Sequence, residues 1–170
     1  GDRPGVTIGP IEAAAGHEEA ARGIADEITT ALARIGISTA RAGSTRYHLA
    51  GAIRGTGAQA RLVSRLIDRE SGRHLWAHRI AGDWDRACAF DEQLATRLAA
   101  ALRPSLRAAE IDRALQKPDA DLTAHDLTLR AMPGVLSLSE DGNARALELL
   151  NEAMTRDPGE PLPLALAAWA

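Results

Sequence analysis

The chain of 170 residues has little of three things: one cysteine, Cys88; one lysine, Lys117; and aromatic residues at only 3%. A lone cysteine excludes an internal disulfide and a cysteine metal cluster, and it fits a reducing compartment. Few aromatics leave Ala and Leu to build the interior, which suits helices packed closely on one another or on a sheet. With lysine nearly absent, arginine carries the positive charge, a pattern that reads as GC-rich coding bias rather than as a binding surface. The formal net charge is −3. No basic patch dominates, so nucleic-acid binding by this segment is not expected. No apolar run approaches the roughly 18 residues needed to cross a bilayer, and no secretory leader pattern is visible. A cytoplasmic location is expected, with any membrane association belonging to the rest of a parent chain. The first residue is Gly, and the sequence stops in the helix-like "LALAAWA". It therefore reads as a piece of a longer protein.

What is present divides into two patterns. In the first, "GVTIGPI" (5–11) suits a short strand, through Val6 and Ile8, ended by Pro10. Ile24, Ile28, Ala31, Leu32 and Ile35 then form one helical stripe. Glu18 and Glu19 stand in its first turn, and Gly36 follows as its stop. "ISTARA" (37–42) is a second strand. Three further strands follow, joined by turns at Gly55–Gly57 and at "DRESG" (68–72), where Gly72 suits a positive φ. Tyr47, Leu49, Gly51 and Ile53 share one face, as do Ala60, Leu62, Ser64 and Leu66. From Phe90 the period becomes helical, through Leu94, Leu98, Ala101 and Leu102, with a kink or a new start expected at Pro104.

In the second pattern everything is helical. The polar "QKPDAD" (116–121) marks the expected boundary between a domain at 1–117 and a helical region at 118–170. Thr123 and Asp126 form a capping box for a helix running to about Leu136, its end disturbed by Pro133 and Gly134. "SEDGN" is expected to turn the chain, and a second helix to run from Ala144 to Arg156. A third begins near Leu162. Ala146, Leu150, Ala153 and Pro158 match the second half of a tetratricopeptide unit, small, large, small, then a terminating Pro. The first half fits poorly, and a generic helical hairpin stays open as the other reading.

Candidate chemistry is scarce. His74 and His78 are four apart, a zinc spacing on a helix. On a strand the same spacing puts them roughly 13 Å apart, too far for one ion. Trp76 lies between them on the same face and is expected to be sequestered in a core or a helix–sheet contact. Asp83 and Asp85 flank Trp84 in "GDWD", which suits a helix start better than acid–base work. "AGAIRGTG" lacks the Lys-Ser/Thr of a phosphate loop. Cys88 reads as a small hydrophobe. No catalytic, cofactor or metal residues are expected.

Several stretches together resemble the TolB-like amino-terminal α/β domain of bacterial multidomain regulators: "VTIGPIE", "GIADEITTALARI", "YHLAGAIR", "RLVSRLIDRESGRHLWAHRIAGDWD" and "FDEQLATRLAAALRPSLRAAE". The motif positions are Leu66, Ile67, Asp68, Gly72, Leu75, Trp76, Gly82 and Asp83, all in structural roles. "HDLTLRAM" and "ALELLNEAMTRDP" resemble the first tetratricopeptide repeat that follows in those proteins. One departure stands out. "AGSTR" (42–46) is too short for the helix that family members carry between strands two and three, and an uncovered sheet face would result.

The expected fold is α/β (α+β): a mixed, mostly antiparallel sheet of about five strands with two long helices, then a tetratricopeptide-like hairpin. The resemblance implies a non-catalytic regulatory segment of an adenylate cyclase with such repeats, binding protein partners through the repeats or the exposed sheet face. Two alternatives stay open: the equivalent segment of a winged-helix transcriptional regulator, and a small-ligand sensor. Any cyclase activity would belong to the parent chain.

Overall fold

The computed structural model of the protein describes residues 4–13, 16–40, 45–55, 61–81, 92–137 and 139–170. Two compact units emerge, one ending at Leu106 and the other running from Arg107 to Ala170.

The first unit holds strand β1 (Gly5–Glu12), helix α1 (Glu18–Arg34), and strands β2 (Ser38–Ala40), β3 (Tyr47–Arg54), β4 (Arg61–Asp68) and β5 (His74–Ala81). The sheet order is β2-β1-β3-β4-β5. β1 pairs in parallel with β2 and β3, while β3–β4 and β4–β5 are antiparallel. The mixed five-stranded sheet is therefore as expected. The parallel half requires a crossover, and α1 supplies it between β1 and β2.

Burial alternates along the strands. Val6, Leu49, Ile53, Leu62 and Leu66 are buried on one face, with Tyr47 and Ser64 beside them. Their neighbours Ala50, Val63 and Ile67 are half-buried on the other, where Arg65 is exposed. The α1 stripe Ala21, Ile24, Ile28, Ala31 and Leu32 is buried as its periodicity predicts. Gly36 ends that helix at φ 78°.

Helix α2 spans Glu92–Gln116 without a break, and Pro104 lies inside it. The helix therefore does not restart at Pro104, because tertiary packing outweighs the local penalty of an internal proline. Ala95, Leu98, Ala99, Leu102 and Leu106 of this helix are buried. The division between the two units falls within α2, after Leu106.

The second unit continues with a short 3-10 turn, Asp119–Asp121, then helices α3 (Ala124–Leu136), α4 (Glu140–Arg156) and α5 (Pro161–Ala167). α3 and α4 run antiparallel. Leu127 near the start of α3 clusters with Ala153 near the end of α4, while Ala131 and Val135 meet Ala146 and Leu150. α5 returns against the same pair, with Leu166 and Ala167 on that cluster. "SEDGN" does not turn the chain. Ser139 caps α4 by accepting from the Gly142 N–H, so the helix starts at Glu140. Pro133 and Gly134 do not disturb α3, which runs through both to Leu136. The reason is a close approach. A Cβ on Gly134 would stand 2.6 Å from the Gly142 carbonyl oxygen and 3.1 Å from the Ala146 Cβ. Gly134 is the smallness that lets the two helices meet.

Candidate functional site

In the helical unit, charge is gathered where the end of α2 meets the start of α3. Asp126 is fully buried. Its carboxylate accepts from Lys117 Nζ at 2.6 Å, Arg113 Nη2 at 3.0 Å, the Thr123 N–H at 3.0 Å and the Thr123 hydroxyl at 2.9 Å. Thr123 Oγ1 in turn accepts from the Asp126 N–H, which completes the capping box read from the sequence. Burial pushes the Asp126 carboxyl up. The Lys117 ammonium, the two Thr123 donors and the Arg113 guanidinium outweigh it, and the group is held well below the usual carboxylate range. Arg113 also bonds Glu110 through Nε and Nη2 at 3.2 Å. Arg130 donates to the Ala114 carbonyl at 2.8 Å, to the Lys117 carbonyl and to Asp119. These bonds satisfy carbonyls left open at the end of α2. The single lysine thus serves a buried ion cluster.

Beside it lies a groove of about 650 Å3, lined among others by Leu115, Lys117, Arg130, Gly134, Arg145 and Leu149. Arg145 is exposed, and Leu115 is 54% exposed. Sequence reasoning missed this groove, because it ended the expected α/β domain at residue 117 and started α4 at Ala144. The signals available were the i,i+4 pair Arg113/Lys117 and the Thr123–Asp126 box on the next element.

The tryptophan ribbon is a strand. Leu66 is buried, and Ile67 and Asp68 are half-buried. Asp68 accepts from the Ser71 hydroxyl at 2.8 Å and from the Glu70 N–H at 3.0 Å, closing the turn in which Gly72 adopts φ 69°. Leu75 and Trp76 are half-buried. Trp76 stacks on His78, with centroids 5.5 Å apart and planes at 15°. Two expectations are corrected. Trp76 is half-buried rather than fully sequestered, since β5 is the last strand of the sheet and much of it is exposed. His74 does not share the face of Trp76. It pairs with Ile67 while Trp76 pairs with Leu66, and the extra residue between them, Leu75, shifts the register. Gly82, Asp83, Trp84, Asp85, Cys88 and Phe90 lie outside the described residues, as does most of 42–46. In the helical unit Ala146, Leu150 and Ala153 are buried, and Pro158 lies exposed in the turn after α4. Among the described residues no group of three or more His, Cys, Asp or Glu is placed to hold a metal ion. Nor is any described helix long and apolar enough to cross a membrane.

The sheet face opposite the buried one carries His48, Ala50, Ala52 and Arg54 on β3, and Arg61, Val63, Arg65 and Ile67 on β4. Ala77, Arg79 and Ala81 extend it on β5. The His48 imidazole lies over Gly9, where a Cβ would meet it at 2.5 Å. Burial, and then the Arg69 charge, hold its pKa below the ordinary histidine value. Arg54 pairs with Glu12 at 3.0 Å.

This geometry defines a mixed α/β sheet unit followed by packed helices. No protein-family model matches the chain. It is 26% identical over 180 aligned residues to a Rhizobium meliloti (strain 1021) protein named "Putative adenylate cyclase 3", covering 92% of this chain and 31% of the relative. The chain thus spans about a third of the length of the curated relative it matches. Among solved structures it resembles the protein XCC0632 from Xanthomonas campestris, with TM-score 0.53 and 12% identity, covering 63% of this chain and 87% of that one. That likeness is one of fold alone. TolB from Acinetobacter baumannii aligns with TM-score 0.46 and 15% identity, over 62% of this chain and 29% of that one.

Proposed function

We propose that this chain is a non-catalytic regulatory segment of a larger bacterial signalling protein of the adenylate cyclase kind, and that it works by binding protein. The observation that carries the reading is the alignment of 92% of the chain to about a third of a relative named as an adenylate cyclase. The segment would pass a signal to a cyclase domain elsewhere in the parent. The helical unit supports a tetratricopeptide-like role. Ala146, Leu150 and Ala153 face α3, and Gly134 stands where the repeat pattern wants a small residue in the first helix. Its groove and the sheet face exposed at Arg61, Arg65, Ala77 and Arg79 are the two contact surfaces. A domain division near residue 117 fits the same reading, with motif residues Leu66 to Asp83 as scaffold and Ala146 to Pro158 as repeat packing. A cytoplasmic setting suits such a role.

The test uses the full parent protein. Ala146→Glu and Ala153→Glu, which break the α3–α4 seam, are expected to change cyclic AMP output in cells at least several-fold. The 170-residue chain, given ATP and a divalent cation, is expected to make none. Cyclic AMP made by this chain alone, or a parent whose output ignores deletion of the segment, overturns the reading.

A further inference from the structure

The first unit carries opposite charge on two separate surfaces. On the second face of the sheet, exposed at β4 and β5, Arg61 and Arg65 project from β4, and Arg79 projects from β5 opposite Val63, midway between them. All three are exposed, and none has a hydrogen-bonded or ionic partner among the described residues. They form a triangle. Arg61 and Arg65 are roughly 13 Å apart along the strand, and each is a diagonal neighbour of Arg79 at about 7 to 8 Å. The residues between them, Ala50, Ala52, Ala77 and Val63, are short, so another element can approach the sheet closely.

Helix α1 packs on β1 and β2 through its buried stripe, and the surface it turns away from them is acidic. Glu18, Glu19, Asp26 and Glu27 are exposed there, with Arg22 as the nearby cation. Arg34, at the helix end, is engaged by Glu92. Glu18 accepts from the Gly16 N–H at 2.9 Å, whereas Glu19, Asp26 and Glu27 have no side-chain partner among the described residues. From Glu19 to Glu27 the helix rises roughly 12 Å. Three free carboxylates and three free guanidiniums therefore occupy matching spans on two separate surfaces of one unit.

We propose that this sheet face takes a second copy of this chain, and that the outer surface of α1 of that copy lies across Arg61, Arg65 and Arg79. The inference gives one surface of the protein-binding reading an occupant. The contact is heterologous: each copy offers a sheet face to one neighbour and a helix face to another, so assembly proceeds head to tail into a row or a ring rather than stopping at a two-fold dimer. A helix of 17 residues, about 10 Å across and about 26 Å long, covers roughly 260 Å2 of the sheet face, below the size of a standard specific interface. The association is accordingly reversible, carried by charge and weakened by salt.

The test is sedimentation of the full chain across concentration and ionic strength. At low salt the average mass is expected to rise with concentration above the 18.0 kDa of one copy. At about 0.5 M salt it is expected to return to that value. Two neutralised variants, Arg65→Gln with Arg79→Gln and Asp26→Asn with Glu27→Gln, each stay monomeric alone. Mixed, they form a one-to-one pair that grows no further, because each supplies one intact face. Far-ultraviolet circular dichroism checks that both variants are folded, and the wild-type salt series needs no variant. A wild-type chain that stays monomeric at low salt overturns the proposal. So does association that survives both sets of substitutions, or a monomeric chain whose arginines bind anionic vesicles instead. Self-association can fail while the helical groove still binds a partner protein, so this result is separable from the fate of the broader reading.

Discussion

Lys117 Nζ stands 2.6 Å from Oδ2 of Asp126, a carboxylate with none of its side chain exposed to solvent. The chain's one lysine is thereby committed to joining the end of α2 to the start of α3. Asp126→Ala would leave Lys117 and Arg113 facing each other without a counter-charge and remove the capping box. Both cations are about a quarter exposed or less and can turn to water. A loss of about 3 kcal/mol is expected, the low end for breaking a buried pair. Urea unfolding followed by circular dichroism measures it; a change under 1 kcal/mol would mean the cluster is ornamental.

The same carboxylate sets a pH dependence. It is held well below its usual range in the folded chain and returns to about 3.9 when unfolded. As pH falls, the unfolded chain takes up the proton first, so acid favours unfolding. The contribution of Asp126 is whole above about pH 5 and is lost as pH drops through 4 toward the folded value. The stability gap between wild type and Asp126→Asn should therefore narrow from pH 7 to pH 3. A gap that widens in acid contradicts the assignment.

Gly134→Ala improves intrinsic helix propensity by about 1 kcal/mol, yet it should destabilise. The new methyl would press on the Gly142 carbonyl oxygen at 2.6 Å, which is backbone and cannot swing away. Separating α3 from α4 costs about 1 to 3 kcal/mol. Melting temperature reads the sign directly, and a more stable variant would refute the close crossing.

Trp76→Ala tests the ribbon. A fully buried tryptophan would cost about 3 to 5 kcal/mol on truncation. Trp76 is half-buried on the last strand of the sheet, stacked on His78. A loss of about 1 kcal/mol is expected, from one aromatic contact and partial burial. Denaturant titration showing more than 3 kcal/mol would restore the core role expected from sequence.

Periodicity revealed most of the fold, because burial on one face leaves a direct mark on residue order. The α1 stripe is such a case, and so are the alternating strands β3 and β4. The Thr123–Asp126 box and the turn at Gly72 were legible for a similar reason, since capping and positive φ demand particular residue types within a few positions. The groove was not legible. Leu115, Arg130 and Arg145 lie on three elements, and no local rule connects them.

The sequence alone thus determined the elements, the class of sheet and the helical stripes, all of which follow from interactions between near neighbours in the chain. Tertiary structure decided the rest. Packing carried α2 through Pro104 and α3 through Pro133 and Gly134, because long-range burial outweighs local propensity. A one-residue bulge at Leu75 moved His74 away from Trp76, and no spacing rule reports which strand supplies the extra residue. Only the assembled sheet brought Arg61, Arg65 and Arg79 onto one face, since cross-strand register is fixed by pairing and not by order along the chain.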